Sequence, residues 1–173
     1  MKKEQTFYEH IDELRKIILR SLLAIVFLSI ISYIFKEKIF ILLTSPLKQS
    51  LVIISPTEAF IIIFKLSILS GLILAFPYII YQIWGFLAEL FNKQQRKTII
   101  KYILSSVFLF YGAISFAYFI VLPMALDFLI NFGNLPLIPS ITLSNYVDFA
   151  AYLLIAFGLV FQFPIVLLVL IRL

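Results

Sequence analysis

A chain of 173 residues in which 63% are hydrophobic and 13% are charged lies well below the roughly 25% charge of soluble domains, which excludes a soluble protein and indicates an integral membrane one. With no cysteine and one histidine, a disulfide framework, a thiol nucleophile and a sulfur or imidazole metal site are excluded, and no cofactor is expected. The net charge of +5 sits on basic residues that flank apolar runs instead of interleaving with aromatics, a pattern of membrane topology and not of nucleic-acid binding.

The chain opens with Lys2 and Lys3, after which Phe7, Ile11, Leu14 and Ile18 recur at helical spacing while Glu9, Asp12, Glu13, Lys16 and Arg20 fall mostly on other faces. This predicts an amphipathic helix at the membrane interface. Thr6 with Glu9 three residues on has the capping-box pattern, so the helix is expected to begin there and run into the first span. On pattern alone its charges read as a solvated membrane anchor. His10 reads as a capping or interfacial hydrogen bonder.

Runs near 20 apolar residues cross a hydrocarbon core of about 30 Å. Four such runs predict an all-α polytopic membrane helix bundle forming one domain over 1–173: Ile17 to Phe35, Ala59 to Leu90, Ile99 to Ile130 and Phe149 to Ile171. Pro77, Pro123 and Pro164 fall inside the last three, and each removes a backbone donor and should bend its helix. The first connection between spans, Lys36 to Glu58, has apolar stretches punctuated by Ser45-Pro46 and Ser55-Pro56, which predicts short packed helices or turns. Trp84, Tyr81 and Tyr78 read as an aromatic belt, and Gly71, Gly112 and Gly158 as points of close helix contact.

Lys2, Lys3, Arg15, Lys16 and Arg20 share a side with Lys93, Arg96, Lys97 and Lys101 once the runs are threaded, so the amino terminus is expected on the cytoplasm-equivalent side. Lys36, Lys38 and Lys48 stand against this, partly balanced by Glu37 and Glu58. Gln162 is a midspan amide that needs internal partners, either as helix-to-helix glue or as a docking point for another subunit's helix. An ion- or proton-coupled carrier is the alternative function, but Lys65 and Asp127 lie near span ends. An intramembrane hydrolase finds Ser105, Ser106 and Ser115 without a histidine or lysine at their depth.

His10-Ile11-Asp12-Glu13-Leu14-Arg15-Lys16 resembles the amino-terminal signature of TatC, the multispanning subunit of the twin-arginine protein translocase. Further matches follow in order: Ser45-Pro46-Leu47, Ser55 to Phe60, Pro77 to Phe86, Phe110-Tyr111, Phe116 to Phe119, Leu122-Pro123, Ala156-Phe157-Gly158 and Phe161-Gln162-Phe163-Pro164. Together they cover essentially the whole chain. The resemblance implies a non-enzymatic receptor and scaffold for the twin-arginine signal peptides of folded cargo, working on the proton motive force, self-associating, and assembling with single-span TatA- and TatB-type subunits. It implies six spans, of which this chain carries four, so truncation or a remainder encoded elsewhere is expected. The implied membrane is a plastid thylakoid, mitochondrial inner or bacterial plasma membrane, and Phe-, Ile- and Lys-rich usage suits an AT-rich genome such as an organelle's.

By residue-for-residue match the resemblance assigns the arginine pair to Glu13, with Asp12 as helper. Arg15 orients that carboxylate or binds lipid phosphate. Guanidinium meets carboxylate through two parallel hydrogen bonds that lysine cannot reproduce. Two positions depart from the family's pattern. Gln95, followed by Arg96, stands where a second glutamate is usual, leaving Glu89 as a compensating acid, and Gln162 stands where glutamate is common. Gln162, with Phe161 and Pro164 beside it, is the implied docking point for a partner helix.

Overall fold

The structure, a computed structural model, describes residues 7–47, 51–87, 96–131 and 141–172. The first helix, α1 (Phe7–Ile34), is a single run of 28 residues, about 42 Å long at 1.5 Å per residue. It contains neither proline nor glycine, so nothing interrupts its hydrogen-bond ladder. The amphipathic segment is therefore the first part of α1 and not a separate element. Phe35 N–H tightens the end of α1 by donating to Ser32 O at 3.0 Å, and a short helix, α2 (Lys36–Thr44), follows directly. Together with the extended residues around Val52 it makes the packed connection that the Ser-Pro punctuation predicted.

The next helix, α3 (Pro56–Leu87), starts on a proline, where a missing N–H is harmless, and runs through Pro77 without a break. The remaining prolines act differently. The third crossing comprises α4 (Arg96–Phe116), a π-helical turn over Ala117–Val121, and α5 (Leu122–Ile130). Leu122 N–H donates to Ala117 O, five residues back, so the register has already slipped by one residue where Pro123 enters, a common device for absorbing a misfit inside a helix. The fourth crossing is cut into α6 (Leu143–Val160) and α7 (Phe163–Arg172). Gln162 N–H turns to Leu159 O at 2.9 Å, and Pro164, with no N–H, stands in the first turn of α7.

Four helical stretches, Ile11–Ile34, Pro56–Phe86, Ile100–Ile130 and Leu143–Val169, are long and apolar enough to cross a membrane. Among the described residues there is no strand, only an isolated parallel bridge between Val52 and Thr142. The core has two parts stacked along the bundle. One gathers Leu43, Ile62, Leu66, Leu122, Tyr146 and Ala150; the other gathers Phe76, Ile80, Trp84, Phe110, Ile165 and Val169. Large apolar side chains such as Leu23 and Phe108 are exposed, as suits a bundle whose solvent is lipid.

Glycine contacts divide. A Cβ on Gly71 would lie 2.6 Å from Ser29 N and 2.7 Å from Ser29 Cα, so α1 and α3 touch backbone to backbone there. A Cβ on Gly158 would lie 2.7 Å from the Phe110 ring, which itself stacks on Phe76 with centroids 3.4 Å apart. Gly112, expected to be a third close contact, has nothing within 4 Å of such a Cβ. Trp84 also departs from expectation: it is only 4% exposed and stacks on Tyr102 at 5.4 Å, so it belongs to the core, while Tyr78 and Tyr81 are exposed.

The α2 end of the bundle is tied by polar contacts. The Glu58 carboxylate accepts Ile54 N–H at 2.9 Å and Ser144 N–H at 2.7 Å, joining the first connection and the start of α3 to the first turn of α6. A negative charge there satisfies a donor that the helix leaves open and complements its dipole. Beside it Val52 exchanges backbone hydrogen bonds with Ile141 O and Leu143 N, each at 3.0 Å, and Lys65 Nζ donates to both Asp148 oxygens at 2.7 and 2.8 Å. Tyr118 OH, on the π turn, donates to Leu42 O and bonds Ser45 Oγ. Glu58→Ala is expected to lower the melting temperature in detergent more than Glu58→Gln, which keeps an acceptor oxygen, and more than Lys65→Met, whose partly exposed pair contributes under about 1 kcal/mol. Circular dichroism melts of the variants check this order.

Candidate functional site

At the end of the bundle opposite α2, a cleft of about 860 Å³ opens between α1, α3 and α4. Glu13, Lys16, Ile17 and Arg20 form one wall. Residues four apart share a helix face, and Ile17 is buried, so Glu13 is carried on the packed stripe of α1 and is half-buried. Ile11, Leu14 and Ile18, the apolar stripe of the amphipathic pattern, are each about half exposed and face outward. In water that stripe would be the buried one; with lipid as solvent the interior stripe is the one carrying Glu13.

The other wall comes from Tyr81, Gln82, Gly85 and Phe86 near the end of α3, closed by Ile100 and Ile103 early in α4. Gln82 Nε2 donates to Tyr78 OH at 2.6 Å, which leaves its Oε1 as a second acceptor in the cleft. Among the described residues the one salt bridge is Lys65 with Asp148, so the Glu13 carboxylate is uncommitted although Lys16 and Arg20 share its cleft. Asp12 and Arg15 are both exposed, and Arg15 makes no ion pair with Glu13. The arrangement can accept hydrogen bonds from a cationic group. Among the described residues no group of three or more histidine, cysteine, aspartate or glutamate side chains could hold a metal.

Gln95 and Glu89 lie outside the described residues, in the stretch between α3 and α4. Arg96 is the first residue of α4. The structure thus brings Glu13 to the end of the bundle from which that connection departs. Tyr81 and Gln82 were missed as cleft residues; the signal for them was their place inside the Pro77 to Phe86 match.

The three residues at the break in the fourth crossing differ in exposure, Phe161 and Gln162 being half-buried and Pro164 exposed. Gln162 Nε2 donates to Ser106 O at 3.2 Å, tying the break to α4. Phe161 is half-buried near Phe116 and Phe157, with ring centroids 6.4 and 6.2 Å away, whereas Pro164 is exposed. Gln162→Leu is expected to reduce stability by about 0.6 kcal/mol, the usual worth of an interhelical bond inside a membrane bundle, with about 1.7 kcal/mol as the ceiling. Reversible unfolding in mixed micelles measures it.

Residues 9–173 match the family profile described as Sec-independent protein translocase protein (TatC). The chain is similar to the Sec-independent protein translocase protein TatC of Carboxydothermus hydrogenoformans, 42% identical over 99% of this chain and 72% of that protein. It is similar also to the TatC of Aquifex aeolicus, 38% identical over 94% of this chain and 70% of that protein. Among solved structures, a crystal structure of the twin-arginine translocase receptor TatC in DDM superposes with a TM-score of 0.86 at 38% identity, covering 95% of this chain and 76% of that one. A profile match over nearly every residue, relatives well above 30% identity and a close superposition on a solved TatC lead to one conclusion: the chain belongs to the TatC family of Sec-independent protein translocase proteins and is an integral, multi-pass membrane subunit of that translocase.

Proposed function

We propose that this subunit is the receptor for twin-arginine signal peptides, and that the Glu13 cleft receives the arginine pair. The observation that carries the reading is a carboxylate with no ion pair among the described residues, held half-buried at a cleft between three helices. One guanidinium donates two parallel hydrogen bonds to Glu13, and Gln82 Oε1 accepts from the second. Lys16 and Arg20 oppose a doubly cationic ligand, so Asp12 and Glu89 supply further negative charge. Gln95 gives a neutral acceptor where a carboxylate would bind about twice as strongly, and Arg96 sits next to it. Arg15, exposed and without an ion pair among the described residues, meets lipid phosphate.

In this reading the amino terminus lies on the side from which folded cargo arrives. Single-span TatA- and TatB-type subunits and further copies of the chain dock on the outer face of the break at Phe161 to Pro164, and transport draws on the proton motive force. A photo-crosslinker at Tyr81, in the chain held in nanodiscs, should capture a twin-arginine peptide and lose at least about tenfold of the yield with a twin-lysine peptide. Equal capture of the two peptides would refute the reading.

A further inference from the structure

A groove of about 590 Å³ runs between α1 and α3 on the α2 side of the bundle, away from the Glu13 cleft. Its walls are aliphatic and aromatic, and the two hydroxyls that enter them are already committed: Ser29 Oγ donates to Ile25 O at 2.7 Å and Ser67 Oγ to Ile63 O at 2.8 Å. Only the Tyr33 phenol, at the mouth, is left to meet a polar occupant. From Leu22 at the deep end to Tyr33 is about 16 Å of helix, the depth of one leaflet of a hydrocarbon core about 30 Å thick.

The mouth is cationic. Lys36 Nζ lies 4.6 Å above the Tyr33 ring at the groove, and the Nζ of Lys38, in the same first turn of α2, lies 6.0 Å from the ring of Phe35, which is outside the groove lining. Neither ammonium forms a salt bridge among the described residues. Glu37, exposed between them, is the opposing charge on that turn, while Lys65 is held by Asp148. Tyr33 and Phe60 both pack near Phe64, at 5.8 and 4.8 Å, so the rim is aromatic as at a membrane–water interface.

We propose that this groove holds one acyl chain of an anionic phospholipid, with its phosphate against Lys36, and with Lys38 adding to the positive potential of the same turn. An apolar slot one leaflet deep accepts a hydrocarbon tail, and a basic mouth selects an anionic head group. The proposal also accounts for lysines placed where the topology rule disfavours them. It does not depend on the signal-peptide reading.

The chain has no cysteine, so Val26→Cys places a single small fluorophore in the groove. In nanodiscs, phosphatidylglycerol with brominated tails should quench it at a mole fraction at least about fivefold lower than brominated phosphatidylcholine does. Lys36→Gln with Lys38→Gln should bring the two curves together, and Glu37→Gln should spread them further. Coincident curves for the labelled chain with both lysines in place, or quenching by neither lipid, would overturn the proposal.

Discussion

Glu13→Ala should weaken binding of a twin-arginine peptide by about 10- to 100-fold, the range for losing hydrogen bonds to a charged group. Glu13→Gln should lose about half as much in free energy, because a neutral acceptor of the same shape remains. Fluorescence anisotropy of a labelled peptide, titrated with the chain in nanodiscs, measures both. The carboxylate has no ion-pair partner among the described residues, so neither change should move the melting temperature, which separates lost recognition from lost folding. Arg15→Gln should matter little in detergent and more in anionic lipid, since its side chain is exposed and free of Glu13. Unchanged peptide affinity in Glu13→Ala would remove the cleft from recognition.

Gly71→Ala should be the most destabilising single-methyl change in the bundle. The added carbon would lie 2.1 Å from Ser29 Oγ, 2.6 Å from Ser29 N and 2.7 Å from Ser29 Cα. The hydroxyl can rotate away; the backbone cannot. Overpacking of this kind costs about 1–3 kcal/mol. Because the clash is with main-chain atoms, Ser29→Ala should not rescue it, which distinguishes a backbone crossing from a side-chain contact. Gly112→Ala, with nothing within 4 Å, is the matched control and should be neutral or slightly stabilising. Thermal melts of the three single variants and the Gly71/Ser29 double variant decide it.

The helices and the family were legible in the residues because length of apolar run and order of short motifs are properties of one dimension. Glu13 stood out for the same reason, through its place in the His10 to Lys16 match. What the pattern hid is which face of each helix turns inward. Ile11, Leu14 and Ile18 face outward, where a helix against lipid keeps its apolar stripe, while Glu13, which pattern alone reads as a solvated charge, is half-buried. Trp84 looked like an interfacial anchor, and its stacking on Tyr102, from the next crossing, buries it instead. Pro77, Pro123 and Pro164 carry the same local signal, yet one is absorbed in a continuous helix, one follows a π turn and one follows a break. The Glu58 and Lys65 contacts were illegible because their partners, Ser144 and Asp148, are 86 and 83 residues away.

That separation has a consequence for biosynthesis. When α3 leaves the ribosome, Glu58 and Lys65 have neither the Ser144 amide nor the Asp148 carboxylate to meet, because α6 is not yet made. Chains emerge amino terminus first, so this end of the molecule stays polar and open through two crossings. The Tyr118 contacts to α2 can form with the third crossing, whereas the Glu58 and Lys65 contacts wait for α6, whose insertion completes the polar closure of this end.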